Sequence, residues 1–371
     1  MLDKDLYKKR IRETYHAIYD DRYNFHPTIM EYERKKISKN IQEMQLEISD
    51  LKKMNVFNIG TGLESIIFHT LGAKKIYHYD ISEIQVKNLN QLKKADPKFH
   101  NLYSQQINVV EDKLSIPDGI DLIYLQGVVH HFSDPKKGLD NIFPNINKDA
   151  KIFIRNYRSG TLQFFTAEMI RRFITHDCLS CLADVFKERF GNVPLNHGEW
   201  IYNLYTHLYA SCVDHGFVPA LHLLDPEKFN NYFENNGFES INFKKMPDYD
   251  HDNSKDIGST QINYIYTKKT DRTDKISGEF PTHIDQLDDI SYKEKYITKT
   301  VETMNRKLPK IKTLSSREKT KLMIELFFIA DSYRFIKFYL NGKHNIDKEK
   351  FKLLSTVPEI HGQLQKELEK L

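Results

Sequence analysis

Two glycines and one acid carry the first chemistry visible in this chain. Gly60, Thr61 and Gly62 lie between a β-rich run, NVFNI (55–59), and a helical run, IIFHTLGA (66–73). Glycine lets backbone approach a ligand closely, and the unpaired N–H groups opening a helix suit an anionic group. Asp80 closes the next β-rich run, KKIYHYD, about 20 residues after Gly60. At that spacing a carboxylate accepts both hydroxyls of a ribose, so the pair of features points to a nucleoside cofactor. His130 and His131 follow a further run, IDLIYLQG. An imidazole there is a candidate base for an acceptor that must lose a proton, while capping and packing are the alternative role. Cys178 and Cys181, with His176 before them and Cys212 and His215 later, make half of a zinc pattern. The other half is poor, so buried thiols are the reading and no metal is expected.

These residues need elements to hold them. Up to about Asp50 apolar residues recur at helical spacing, as in Leu6, Ile11, Tyr15 and Ile18, then Ile29, Tyr32, Ile37, Ile41, Met44 and Ile48. The pattern predicts two helices broken near His26 and Pro27. From Met54 short β-rich runs alternate with helical stretches: NVFNIG, KKIYHYDIS, IDLIYLQG and AKIFIRNY. That alternation implies parallel strands with helices on both faces. A long helical and aromatic insertion follows Tyr157. The α/β pattern resumes with DPEKFNNYFENNGF, a helix closed by Gly237, and two strands, SINFKK and STQINYIYTKK. A polar linker then leads to a helical end, where Ser315 and Glu318 form a capping-box pattern before LMIELFFIADSYRFIKFYL.

Composition narrows the classes. The 371 residues are 40% hydrophobic and 29% charged, and carry a net charge of +4. So small an excess does not make the basic field of a dedicated nucleic-acid binder. No apolar run approaches the roughly 20 residues of a membrane span, and the charged start has no signal core. Three cysteines fit a reducing compartment. The expectation is a cytoplasmic protein with a small-molecule substrate, and with neither nucleic acid nor membrane as partner. In open α/β sheets ligands sit outside the carboxyl ends of the strands. Gln126, Gly127, Arg155, Asn156, Tyr157 and Arg158 should therefore face the site. Arg155 and Arg158 could hold an anionic acceptor or make surface ion pairs. Tyr15, Tyr19 and Tyr23 form a stripe every four residues, an aromatic wall over substrate or a packed core.

Taken in order, the bend at Gly60, the acid Asp80, the segment from Asp121 to Pro135 with its paired histidines, and Asn236-Gly237-Phe238-Glu239 resemble class I S-adenosylmethionine-dependent methyltransferases, especially the small-molecule branch. The resemblance covers about 54–157 and 223–268. It implies a Rossmann-like α/β fold with a seven-stranded methyltransferase sheet and S-adenosylmethionine as cofactor. Asn58, Gly60, Thr61, Gly62, Asp80, Ile81, Asn108, Gln126 and Gly127 would bind the cofactor. Tyr19, Tyr23, Arg155 and Tyr157 would bind substrate, and His131 or His130 would be catalytic. The implied organisation is a helical lid segment (1–50), a cofactor-binding domain (51–268) with a helical insertion (160–222), a linker (269–286) and a C-terminal helical region (287–371).

The chain departs from the family at Asn58, where an acid is usual, at Glu64, the place of a third glycine, and at Asn108, near which an Asp is frequent. The expected reaction is methyl transfer to an oxygen or nitrogen of a small molecule. The departures keep aminocarboxypropyl transfer or cyclisation on the same sulfonium as alternatives. A nicotinamide-dependent oxidoreductase shares the bend and the acid, but the Gly-Phe segment and final strand pair speak against it. A non-catalytic subunit docking through the C-terminal helices is the remaining class, and Phe327, Phe328, Phe335, Phe338 and Tyr339 give that helix apolar surface enough for a homodimer or for its own core.

Overall fold

Strand β1 (Asn55–Asn58) is buried along its whole length, as a strand covered by helices on both faces must be. It pairs in parallel with β2 (Lys75–Asp80) on one side and β4 (Ile120–Gln126) on the other. The computed structural model describes residues 4–18, 27–114, 116, 119–157, 162–192, 204–242, 261–269, 278, 280–281, 295–340 and 357–371. Adding β3 (Leu102–Gln106), β5 (Ile146–Tyr157), β6 (Phe238–Ser240) and β7 (Gln261–Lys268) gives a seven-stranded sheet of order β3-β2-β1-β4-β5-β7-β6. Only β7 runs antiparallel to its neighbours. Strand order reverses between β1 and β4, and at such a switch point a crevice opens beyond the carboxyl ends of the strands.

Side chains alternate across the sheet. Val56, Leu122 and Tyr124 face one core with Ile37, Ile41, Ile67 and Phe68. Phe57, Ile123 and Leu125 face the other with Leu139, Phe229 and Phe233. The first layer is closed by α2 (Pro27–Glu43), α3 (Leu63–Thr70) and α4 (Glu83–Ala95), and the second by α5 (Pro135–Ile142) and α9 (Pro226–Glu234). Two N-terminal helices were expected, and α1 (Lys4–Ile18) and α2 are found, α2 starting on Pro27, where a missing N–H costs nothing. The sixth strand starts earlier than SINFKK implied. Phe238 packs on Phe143 and Phe233 and so draws the strand start toward Gly237. The last residues of that run lie outside the described residues.

The insertion contains α6 (Leu162–Arg171), α7 (Leu179–Phe190) and α8 (Leu204–Ser211), running into a π-helical turn, Cys212–Phe217. The C-terminal region holds α10 (Lys295–Thr313), α11 (Ser316–Leu340) and α12 (Val357–Lys370). The two regions share one core: Phe327 and Phe328 of α11 are fully buried with Phe164, Phe186 and Leu208. A helix this apolar around its circumference must be covered. Phe327 and Phe328 therefore offer no dimer surface, whereas the side chains of Phe335, Phe338 and Tyr339 lie outside the described residues. The capping box is present, with Ser315 N–H donating to Glu318 at 2.9 Å. Within the expected linker, Phe280 is buried against Phe229 and Tyr232. Among the described residues no helix is long and apolar enough to cross a membrane.

Candidate active site

The bend between β1 and α3 lies at the switch point. Gly60 has φ +136° and Gly62 φ +84°, conformations that L side chains rarely adopt. A Cβ on Gly62 would sit 2.9 Å from Leu89 Cδ1, so α4 packs directly against the bend. Asp80, half-buried at the end of β2, accepts from Ser82 N–H at 2.7 Å and from the Gly60 backbone, which ties the second strand to the bend. Burial, with the charge of Glu64 adding, pushes the Asp80 carboxyl up to about 7. Ile81 follows, half-buried. Beyond β4, Gly127 (φ +73°) donates to the Arg155 carbonyl at 2.9 Å, and a Cβ there would meet nothing within 4 Å. The crevice is open above that residue.

Two expected cofactor ligands point elsewhere. Asn58 lies beneath the bend, fully buried: its Oδ1 accepts from Ser65 Oγ at 2.9 Å, and its Nδ2 donates to the Tyr124 carbonyl at 2.9 Å. Parity explains this, because Asn58 shares its face of β1 with Val56, and that face meets α3 rather than the crevice. His78 completes the buried group 3.1 Å from Ser65 Oγ, and desolvation pulls it down to about 3, so it is neutral. Asn108 closes a turn after β3, its Oδ1 accepting from Val110 N–H at 3.2 Å.

Gln126 is the polar centre of the crevice. Asn40 Nδ2 donates to Tyr124 Oη at 2.7 Å, and Tyr124 donates to Gln126 Oε1 at 3.0 Å. That chain fixes the amide, so Nε2 faces Glu33 and Glu64, each at 3.2 Å. Thr61 Oγ1 donates to Glu64 at 3.3 Å, and Lys36 Nζ grips both oxygens of Glu33 at 2.9 and 3.0 Å. Burial, and after it the charge of Glu33, pushes Glu64 up to about 7.

On the acceptor side His131 is engaged at both nitrogens, Nδ1 facing the Ala220 carbonyl at 3.1 Å and Nε2 facing Asp214 at 3.4 Å. Both neighbours are acceptors, so both ring nitrogens of His131 are already engaged within the chain. Tyr157 donates to Asp214 at 2.7 Å and His215 Nε2 lies 3.4 Å from the same carboxylate. These partners hold Asp214 well below the usual carboxylate range against its desolvation; the largest of them is the charge of His131. His130 differs: Nδ1 meets Asn156 Oδ1 at 3.3 Å, while His130 Nε2 and Asn156 Nδ2 are buried without partners. Burial keeps His130 neutral. Arg155 Nε donates to Asn263 at 2.7 Å. Tyr19, Tyr23 and Arg158 lie outside the described residues. Among the described residues no cluster could hold a metal ion, and Cys178, Cys181 and Cys212 are free thiols.

The residue reading missed Glu33, Lys36, Asp214 and His215 as site members. Glu33 had a signal, since it lies four residues before Ile37 on the apolar stripe of α2, where an acid needs a partner. Asp214 had none, because its partners are distant in sequence.

The donor set fits a nucleoside sulfonium. Asp80 keeps acceptor capacity for ribose hydroxyls beside a glycine bend, and a second dry carboxyl, Glu64, awaits positive charge. Bend, acid and sheet order together define a class I S-adenosylmethionine-dependent methyltransferase. The chain belongs to the methyltransferase-domain family, whose model matches residues 29–242, more than half its length. Among solved structures it is similar to the YcgJ protein of Bacillus subtilis (18% identity over 35% of this chain and 58% of that one, TM-score 0.29). It is also similar to a SAM-dependent methyltransferase from Aquifex aeolicus (18% identity, 43% and 74%, TM-score 0.28). A third is the N-methyltransferase NodS from Bradyrhizobium japonicum in complex with S-adenosylhomocysteine (16%, 41% and 73%, TM-score 0.28). The chain thus spans 58% of the first relative's length. Comparison with curated proteins finds no match.

Proposed function

We propose that the protein transfers a methyl group from S-adenosylmethionine to an oxygen or nitrogen of a small molecule. The observation that carries this reading is the covered end of β5, where Tyr157 is fastened to Asp214 of the insertion's π-helical turn. An acceptor side bordered by the insertion suits a small acceptor better than a nucleic-acid strand, and the net charge of +4 agrees.

Bound at the bend, the cofactor supplies a methyl carbon already made electrophilic by its sulfonium. The chain's own work is positioning and exclusion of water. Asp80 accepts the ribose hydroxyls, Gly60 and Gly62 bring backbone close, and Gln126 and Gly127 form the floor. The clamp of His131, Asp214 and Tyr157 fixes the β5 end of the pocket. The histidine pair braces this end: both rings are buried, His130 with its Nδ1 at Asn156 and its ring 3.9 Å from that of Tyr157. Arg155 and Tyr157 border the acceptor.

The test uses S-adenosylmethionine labelled in its methyl group, incubated with fractionated metabolite extracts. A product heavier by one labelled methyl, with equivalent S-adenosylhomocysteine, is expected. Release of methylthioadenosine would replace the reading with aminocarboxypropyl transfer, and binding of cofactor without turnover would favour a non-catalytic subunit.

A further inference from the structure

The charged groups nearest the bend do not include the acid usual in the family, since Asn58 stands there and is locked beneath it. Above the bend lie two carboxylates and a lysine. Glu33 and Lys36 come from α2 and Glu64 from the first turn of α3, and all three are withdrawn from solvent. One amide nitrogen, Gln126 Nε2, is shared between both carboxylates, 3.2 Å from each. Its two hydrogens supply one bond to each acid. Lys36 Nζ adds two bonds to Glu33 and Thr61 Oγ1 one to Glu64; a carboxylate has about four acceptor positions, so each acid keeps acceptor capacity.

We propose that Glu33 and Glu64 receive the α-ammonium of the cofactor's amino-acid end and that Lys36 receives its α-carboxylate. The argument is one of chemical matching. Asp80 would hold the ribose, and the charge of Glu64 is felt there, so the acidic pair lies within reach of the same ligand. The far end of S-adenosylmethionine is a zwitterion, and a zwitterion withdrawn from water requires both signs opposite it. An ammonium carries three donors, enough to take the place of Lys36 Nζ on Glu33 and to reach Glu64 as well. Lys36, now folded back on Glu33 at 2.9 Å, is released toward an anion once an ammonium takes its place.

The groups facing Glu64 are Glu33 and Lys36 from α2, Thr61 in the bend, Asp80 at the end of β2, and Tyr124 and Gln126 on β4; Arg155 on β5 acts on Lys36 and Tyr124. Glu64 titrates near neutrality without ligand. Arrival of an ammonium favours its ionised form, so binding releases a proton. Helix α2 is on this account part of the cofactor site.

Calorimetry with S-adenosylhomocysteine and 5′-methylthioadenosine tests this, because the two share nucleoside and sulfur but only the first has the amino-acid end. The native protein should prefer S-adenosylhomocysteine. Glu64→Gln, Glu33→Gln and Lys36→Met should each weaken it at least tenfold and leave methylthioadenosine affinity within about twofold. Near pH 7, titrations in buffers of different ionisation enthalpy should show proton release that Glu64→Gln abolishes. Unchanged S-adenosylhomocysteine affinity in all three variants, or equal losses for both ligands, overturns the proposal. Failure of the native protein to bind methylthioadenosine or S-adenosylhomocysteine would instead strike the cofactor site itself.

Discussion

Replacing Asp80 by Asn should weaken cofactor binding and stabilise the ligand-free protein. In the folded chain the carboxyl titrates near 7, against an ordinary 3.8, with burial the chief cause. The folded state therefore holds the proton more tightly than the unfolded one. This group's contribution to stability is complete below about pH 4 and is lost as pH rises to about 7. Full conversion of that difference gives about 4 kcal/mol. Because Asp80 is half-buried, solvent screening reduces the expected gain from Asn to about 1–2 kcal/mol at pH 8. For a chain of 371 residues that is a rise of about 1–3 °C in melting temperature. The Asn oxygen still accepts from Ser82 N–H, so the loop geometry survives. At pH 4 the gain should vanish, since the native acid is then protonated. Two charge-assisted bonds to the ribose become neutral ones, at a loss of about 1 kcal/mol each, so S-adenosylhomocysteine should bind about 30-fold more weakly. Thermal melts at pH 4 and 8 with calorimetric titration check both signs. A variant that binds S-adenosylhomocysteine as the native protein does, or that melts lower at pH 8, refutes the assignment of Asp80.

Other substitutions separate the site from its supports. Asn58→Asp, which writes the family's acid back, places a carboxylate against the Tyr124 carbonyl and should cost about 3 kcal/mol at pH 8, less at pH 5, with no gain in S-adenosylhomocysteine affinity. Denaturant unfolding at the two pH values reads the cost, and tighter binding would return Asn58 to the cofactor site. Gly62→Ala combines φ +84° with a 2.9 Å approach to Leu89 and should cost about 1–3 kcal/mol, part of it recovered by Leu89→Val in the double variant. Asp214→Asn turns an NH2 toward the donors Tyr157, His131 and His215 and should cost about 2–4 kcal/mol. A double-mutant cycle with Tyr157→Phe should give a coupling above about 0.5 kcal/mol, and additivity would show that the clamp does not exist.

How much could be read from sequence follows from the range of each interaction. The bend and Asp80 are local, strand then turn then helix, and their conformations are written in Gly60, Gly62 and the β-rich runs beside them. The parallel sheet with helices on both faces followed because strands and helices alternate from Met54 onward. Asn58 was misplaced although the signal was present. Position parity on β1 sends Val56 and Asn58 to the α3 face and Phe57 to the other, and a motif comparison that ignores parity reads a ligand where there is a brace.

The acceptor side was legible only in outline. His131 precedes, and Asp214 lies within, an insertion whose path no local rule gives, and the π-helical turn presenting Asp214 breaks the helical periodicity by which a residue's face is judged. Helix α11 illustrates the same limit. Its apolar surface allowed a dimer face, with a private core the simpler use, and what decided was the coverage of Phe327 and Phe328 by α6, α7 and α8. That arrangement carries a mechanical consequence. The π-helical turn is packed against α11, with Gly216 facing Met323 and His215 facing Phe327. The carboxylate that clamps Tyr157 at the mouth of β5 therefore rests on the C-terminal helices, so loosening them should loosen the acceptor wall while leaving the bend at Gly60 and the ribose acid in place.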